Sequence, residues 1–184
     1  MNYLKGSRCY LSGPLEHAET YPYDWRKPLR KALKSRYGMT VFDPSIDPKQ
    51  KMREEIVSAK EGGDFSRLRT IMKSFVRIDL SCVDRCDILI AGLPYRIPTT
   101  GSHHEIINSN NAKKPTIIFC PQGVDKIADW YFGIIRPEFM FSTLESLINY
   151  LDKVDRGEEE NNDRWYFLYN LAKLTAFYSE PEDD

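Results

Sequence analysis

Apolar and polar positions along this chain switch between two periods, and each switch marks an element. Arg8-Cys9-Tyr10-Leu11-Ser12 is a short apolar run stopped by Gly13-Pro14, which predicts a strand with a sharp end. Between Asp24 and Arg36, Trp25, Leu29, Ala32 and Leu33 recur at i, i+4, i+7 and i+8. That is the stripe of an amphipathic helix, and Gly38 ends it. Met39-Thr40-Val41-Phe42 predicts a second strand, closed by Asp43-Pro44. The charged stretch from Lys49 to Val76, broken at Gly62-Gly63, predicts two helices, the second running on through Ile78 to Val83. Ile88 to Leu93 and Pro115 to Cys120 are near-continuous apolar runs, as strands buried on both faces require. A helix from about Ser102 to Asn111 separates them. Phe139-Met140-Phe141 predicts a short strand, and Ser142-Thr143-Leu144-Glu145 reads as the cap of a helix to about Val154. Beyond a polar linker, Asp155 to Asp163, helical spacing resumes at Trp165, Leu168, Tyr169, Ala172 and Ala176. The chain closes on acidic Glu180-Pro181-Glu182-Asp183-Asp184.

This alternation predicts an α/β domain: a doubly wound, Rossmann-like, mostly parallel sheet of about five strands with flanking helices. The 184 residues suit one such domain over 1–154, with a charged helical insert at about 45–76. Residues 155–184 then form a linker, a C-terminal helix and an acidic tail. A net charge of −1 argues against a nucleic-acid polymer as partner. No apolar run approaches the ~20 residues that span a bilayer, and the opening segment lacks the apolar core of a signal peptide. A cytoplasmic protein with no membrane partner is expected. Cys9, Cys82, Cys86 and Cys120 lack the paired spacing of a structural zinc site, so reduced core thiols and no metal are expected.

The candidate chemistry lies around the central strand. Asp79 and Asp87 precede it, and Thr99-Thr100-Gly101-Ser102-His103-His104-Glu105 follows it. In a parallel sheet this places Glu105 just past the strand's carboxyl end, where open α/β sheets bind ligands. Two carboxylates converging on one pocket suit glycosidic-bond chemistry. Each residue also has a structural alternative. Glu105 could complement a helix dipole, and Asp79 could be an exposed helix acid. Asp87 could orient the loop before the strand, and Tyr10 could be a core aromatic. His103 and His104 beside Glu105 could bind base or phosphate, whereas Arg67, Arg69 and Lys73 fit a solvated helix face better than a cover over a phosphate.

Taken in order, these signatures resemble the nucleoside 2-deoxyribosyltransferases and the related 2′-deoxynucleoside 5′-monophosphate N-glycosidases. Tyr10 followed by Leu11-Ser12-Gly13-Pro14 is similar to that family's opening strand and loop. Asp79-Leu80 lies eight residues before Asp87, Gly101 lies four before Glu105, and Lys113-Lys114-Pro115 opens the next strand. The resemblance covers about residues 8 to 121. It implies Glu105 as nucleophile, Asp79 acting on the leaving base, and Tyr10 orienting the Glu105 carboxylate. Ser12, Gly13, Asp87, Thr99, Thr100, Gly101 and Ser102 are then substrate-binding candidates, and no cofactor is called for. Members acting on free nucleosides carry Asp six residues before the catalytic Glu, where this chain has Thr99. A hydroxyl can donate to a phosphate that a carboxylate would repel, so a nucleotide is expected over a nucleoside. Leu15-Glu16-His17 departs from the Arg-containing first loop of the monophosphate enzymes. The resemblance also implies a homodimer or larger homo-oligomer. Base exchange and non-catalytic nucleotide sensing are the rival expectations.

Overall fold

The computed structural model describes residues 2–14, 24–46, 52–159 and 162–170. Its sheet has five strands: β1 (Arg8–Ser12), β2 (Thr40–Phe42), β3 (Ile88–Gly92), β4 (Thr116–Phe119) and β5 (Met140–Phe141). They lie in the order β2-β1-β3-β4-β5, and every neighbouring pair is parallel. The Rossmann-like α/β architecture expected from the alternating pattern is therefore observed. All residues of β3 and β4 are buried, as their unbroken apolar runs require.

Helices supply the crossovers. α1 (Arg26–Tyr37) joins β1 to β2 and turns its stripe of Leu29, Leu33 and Tyr37 inward. Gly38 ends it at φ 66°, a left-handed position that suits glycine, with its N–H returned to the last helical carbonyls. α2 (Arg53–Glu61) and α3 (Phe65–Arg85) then carry the chain from β2 across to β3. α4 (Thr100–Asn111) leads to β4, the short α5 (Asp129–Phe132) lies between β4 and β5, and α6 (Leu144–Arg156) follows β5. Right-handed crossovers in opposite directions from β1 and β3 place α1 and α4 on opposite faces of the sheet. The packing agrees: α3 lies against α4, and α1 against α6.

Most helix and strand boundaries fall within a residue or two of the pattern's expectation, whereas α2 begins at Arg53, four residues past Lys49. The segment between β4 and β5 differs most, because two single-turn 3-10 helices and α5 form where no period was evident. The Thr143 hydroxyl caps α6 by accepting the Ser146 N–H at 3.1 Å. Ala172, Ala176, the acidic tail, Lys49 and the first loop at Leu15-Glu16-His17 lie outside the described residues.

Trp165 joins the same core as the sheet. It is fully buried, its indole N–H donates to the Tyr150 hydroxyl at 2.9 Å, and its ring neighbours Phe139 and Tyr150. Trp165→Ala is expected to cost ~3–5 kcal/mol, since a buried ring leaves a cavity that its neighbours only partly fill. Urea unfolding of the two proteins checks this, and a loss under ~1 kcal/mol would mean the C-terminal segment is only loosely attached.

Candidate functional site

Tyr10 and Ser12 stand two residues apart on β1, so both side chains leave the same face of the sheet. α4 crosses that face and presents Glu105 to them. The Tyr10 hydroxyl donates to Glu105 Oε1 at 2.9 Å, and the Ser12 hydroxyl donates to Glu105 Oε2. Glu105 is 8% exposed and Tyr10 2%. Glu105 sits in the second turn of α4, past the reach of a first-turn dipole contact, and it is not solvated. Its carboxylate is held at both oxygens by hydroxyls from β1, a geometry that the dipole reading does not account for.

Asp79 approaches from α3, half-buried, and its charge acts on Tyr10 together with that of Glu105. Burial and then these two carboxylates push the Tyr10 phenol far above its ordinary range. Tyr10 therefore stays protonated and remains a donor to Glu105 at every physiological pH. The structure thus brings Tyr10, Ser12, Asp79 and Glu105 into one neighbourhood.

The start of α4 forms the next part of the site. Thr99 is buried at the N-cap but does not cap the helix with its side chain. Its hydroxyl instead pairs with His103 Nε2 at 3.3 Å, while His103 Nδ1 shares a hydrogen bond with the Tyr131 hydroxyl. The two rings lie nearly parallel, 5.5 Å apart. Burial pulls the His103 pKa down, which favours the neutral imidazole. Ser102 is buried, whereas Thr100 and Gly101 are exposed, and the space where a Gly101 Cβ would stand is open to 4 Å.

Asp87 is not brought to this cluster. It lies at the amino end of β3, the opposite edge of the sheet, where it accepts the Arg8 N–H at 2.8 Å and pairs with the Arg8 guanidinium at 3.4 Å. That contact fixes the register of β1 against β3. Of the substrate-binding candidates, Asp87 is the one whose position serves the sheet.

Two features escaped the sequence. Tyr131 comes from a segment with no clear period, so its pairing with His103 left no signal. Arg26 did leave one: it falls three residues before Leu29 on the buried stripe of α1, an unusual place for a guanidinium. Together with Trp25 it lies over the carboxyl edge between β1 and β3. A Cβ at Gly92 would stand 2.3 Å from the Trp25 ring, and one at Gly13 would stand 2.4 Å from Arg26 Nη2. The glycines ending β1 and β3 therefore admit the start of α1 to the point where the strand order reverses, the usual ligand crevice of such sheets.

The four cysteines are free thiols, and burial pushes Cys86 up to about 12. Among the described residues no group of three or more His, Cys, Asp or Glu is placed to hold a metal ion. Among them, too, no helix is long and apolar enough to cross a membrane.

No family model matches the chain, and no curated protein does. Among solved structures, it is similar to a 2-desoxiribosyltransferase from Leishmania mexicana. The identity is 15%, the match covers 79% of this chain and 97% of that one, and the TM-score is 0.46.

Proposed function

We propose that the protein is an enzyme that cleaves the N-glycosidic bond of a 2′-deoxynucleoside 5′-monophosphate, with Glu105 as the nucleophile of a retaining reaction. The observation that carries this reading is the buried Glu105 carboxylate held at both oxygens by Tyr10 and Ser12. Glu105 attacks the anomeric carbon as the bond to the base breaks, and Asp79 gives the departing base its proton. Water then adds to the anomeric carbon, the glycosyl ester breaks, and Asp79 takes up the water's proton. The net reaction is hydrolysis. A second free base in place of water gives base exchange from the same intermediate.

The start of α4 suits the 5′-phosphate. Thr99, Thr100 and Ser102 offer hydroxyls, the first helical N–H groups point outward, and the positive end of the helix dipole favours an anion. A neutral His103 beside Thr99 adds a polar group without a competing carboxylate. Assembly as a homodimer or larger homo-oligomer is part of the same proposal.

The direct test incubates the protein with nucleosides and their monophosphates, with and without a second base, and resolves the products by chromatography. Free base from monophosphates alone supports the proposal. Exchange without net hydrolysis would make the protein a transferase, and bound nucleotide that stays intact would make it a sensor. Thr99→Asp is expected to lower the monophosphate-to-nucleoside ratio of kcat/KM by roughly fivefold or more, since like charges ~4 Å apart repel by about 1–4 kcal/mol in partly wet surroundings. Thr99→Val loses one neutral hydrogen bond, ~0.5–1.5 kcal/mol, and so has a milder effect. An unchanged ratio in Thr99→Asp would place the phosphate elsewhere.

A further inference from the structure

Tyr131 is the aromatic of α5 that turns into the core: it is 3% exposed, while Trp130 and Phe132 on either side stay exposed. Its phenol has a single polar partner among the described residues, His103 Nδ1, and its ring lies at an interplanar angle of 12° to the imidazole. The other nitrogen of that imidazole faces the Thr99 hydroxyl at 3.3 Å. The backbone repeats the link, because the His103 N–H donates to the Thr99 carbonyl at 2.9 Å. Thr99 is 7% exposed, and its hydroxyl has no further partner among the described residues.

A neutral imidazole carries one proton on two nitrogens, so this chain of three groups has two fully bonded arrangements. With the proton on Nδ1, Tyr131 accepts it, and a buried phenol proton is left without an acceptor. With the proton on Nε2, Tyr131 donates to Nδ1 and Nε2–H donates to Thr99 Oγ1. A phenol is a stronger donor and a weaker acceptor than an aliphatic hydroxyl, which favours the same order. Burial keeps Tyr131 protonated and His103 neutral. In this arrangement the Thr99 oxygen is engaged by His103, and the Thr99 proton gains an acceptor only when a ligand brings one. A phosphate stripped of its protons can only accept, so it fits such a group.

We infer that Tyr131 is a positioning residue that sets substrate class: its hydroxyl fixes His103 as the Nε2–H tautomer and so makes Thr99 a committed donor to the substrate's 5′-phosphate. The consequence for the substrate rests on the proposed phosphate site at Thr99. The tautomer does not, and it is read without turnover.

Protein with ¹⁵N-labelled histidine is studied by long-range ¹H–¹⁵N NMR at about pH 8, where an ordinary histidine is neutral. The chain has three histidines, and His103→Gln identifies the His103 signals by their loss. The parent is expected to carry the His103 proton on Nε2. Tyr131→Phe keeps the ring and, with a thermal melt confirming the fold, should move that proton toward Nδ1. It should also lower the monophosphate-to-nucleoside ratio of kcat/KM by roughly three- to tenfold, the worth of one neutral hydrogen bond. His103→Gln retains an amide donor for Thr99 and should stay nearer the parent ratio than His103→Leu, which has none. A parent with His103 protonated on Nδ1 overturns the inference, whether or not any variant folds. So does a tautomer that Tyr131→Phe leaves unmoved, or a moved tautomer with an unmoved substrate ratio. A parent that releases no base from any substrate defeats the glycosidase reading, while the tautomer still decides what Tyr131 does to His103.

Discussion

Glu105→Gln is expected to remove base release almost entirely while the protein stays folded. Loss of a covalent nucleophile costs roughly 10³- to 10⁶-fold in turnover, because water must then attack the unstabilised centre directly. Gln is the better probe than Ala. It keeps the volume and an acceptor for Tyr10 or Ser12, whereas Ala leaves a buried phenol without its partner at about 1–3 kcal/mol. Single-turnover assays with a monophosphate, beside a thermal melt, check the result. Base release within tenfold of the parent by a folded Glu105→Gln would show that the buried carboxylate serves structure alone.

Asp79→Asn carries the second large effect, about 10²–10⁴-fold, the usual contribution of a positioned general acid. The loss should be greatest for bases that leave poorly and small for an activated base analogue that needs no proton. Comparing both substrates across the two proteins separates the roles. An equal loss with each would mean that Asp79 acts on Tyr10 and the local structure, not on the base. Stability should change little, because Asp79 is only half-buried.

Much of this was legible in the chain, for reasons that can be named. β3 and β4 announce themselves because strands covered on both faces can hold almost nothing but apolar residues. Gly38 marks the end of α1 because the chain there adopts a left-handed conformation that other residues resist. Tyr10 and Glu105 stand 95 residues apart, and their places on a strand and on the helix after the next strand put both at one edge of a parallel sheet. Other parts carry no periodic trace. Ser12 is a substrate-binding candidate by family resemblance, yet its alternation with Tyr10 on β1 aims it at the Glu105 carboxylate. Asp87 is a binding candidate by family resemblance and a loop-orienting residue by its place before the strand, and strand direction assigns it to the far edge. Arg26 carries conflicting signals, a residue type that favours solvent at a spacing that demands burial. The pairing of Tyr131 with His103 depends on turns whose geometry no hydrophobic period encodes.

The parallel pairing of β1 with both β2 and β3 bears on how this protein comes into being. β1 is made first, but the contact that fixes its register against β3, Arg8 to Asp87, closes across 79 positions. Loops that long close at an entropic cost before their contacts repay it, so topologies of this kind fold slowly for their size. Until β3 inserts beside β1, the emerging chain exposes the strand edge that carries Tyr10 and Ser12, a surface prone to misassembly at high expression. At ~5–20 residues per second, synthesis leaves that edge uncovered for several seconds. The cluster of Tyr10, Ser12 and Glu105 is therefore among the last parts to form, so base release is expected to return during refolding no sooner than the slowest sheet-forming phase.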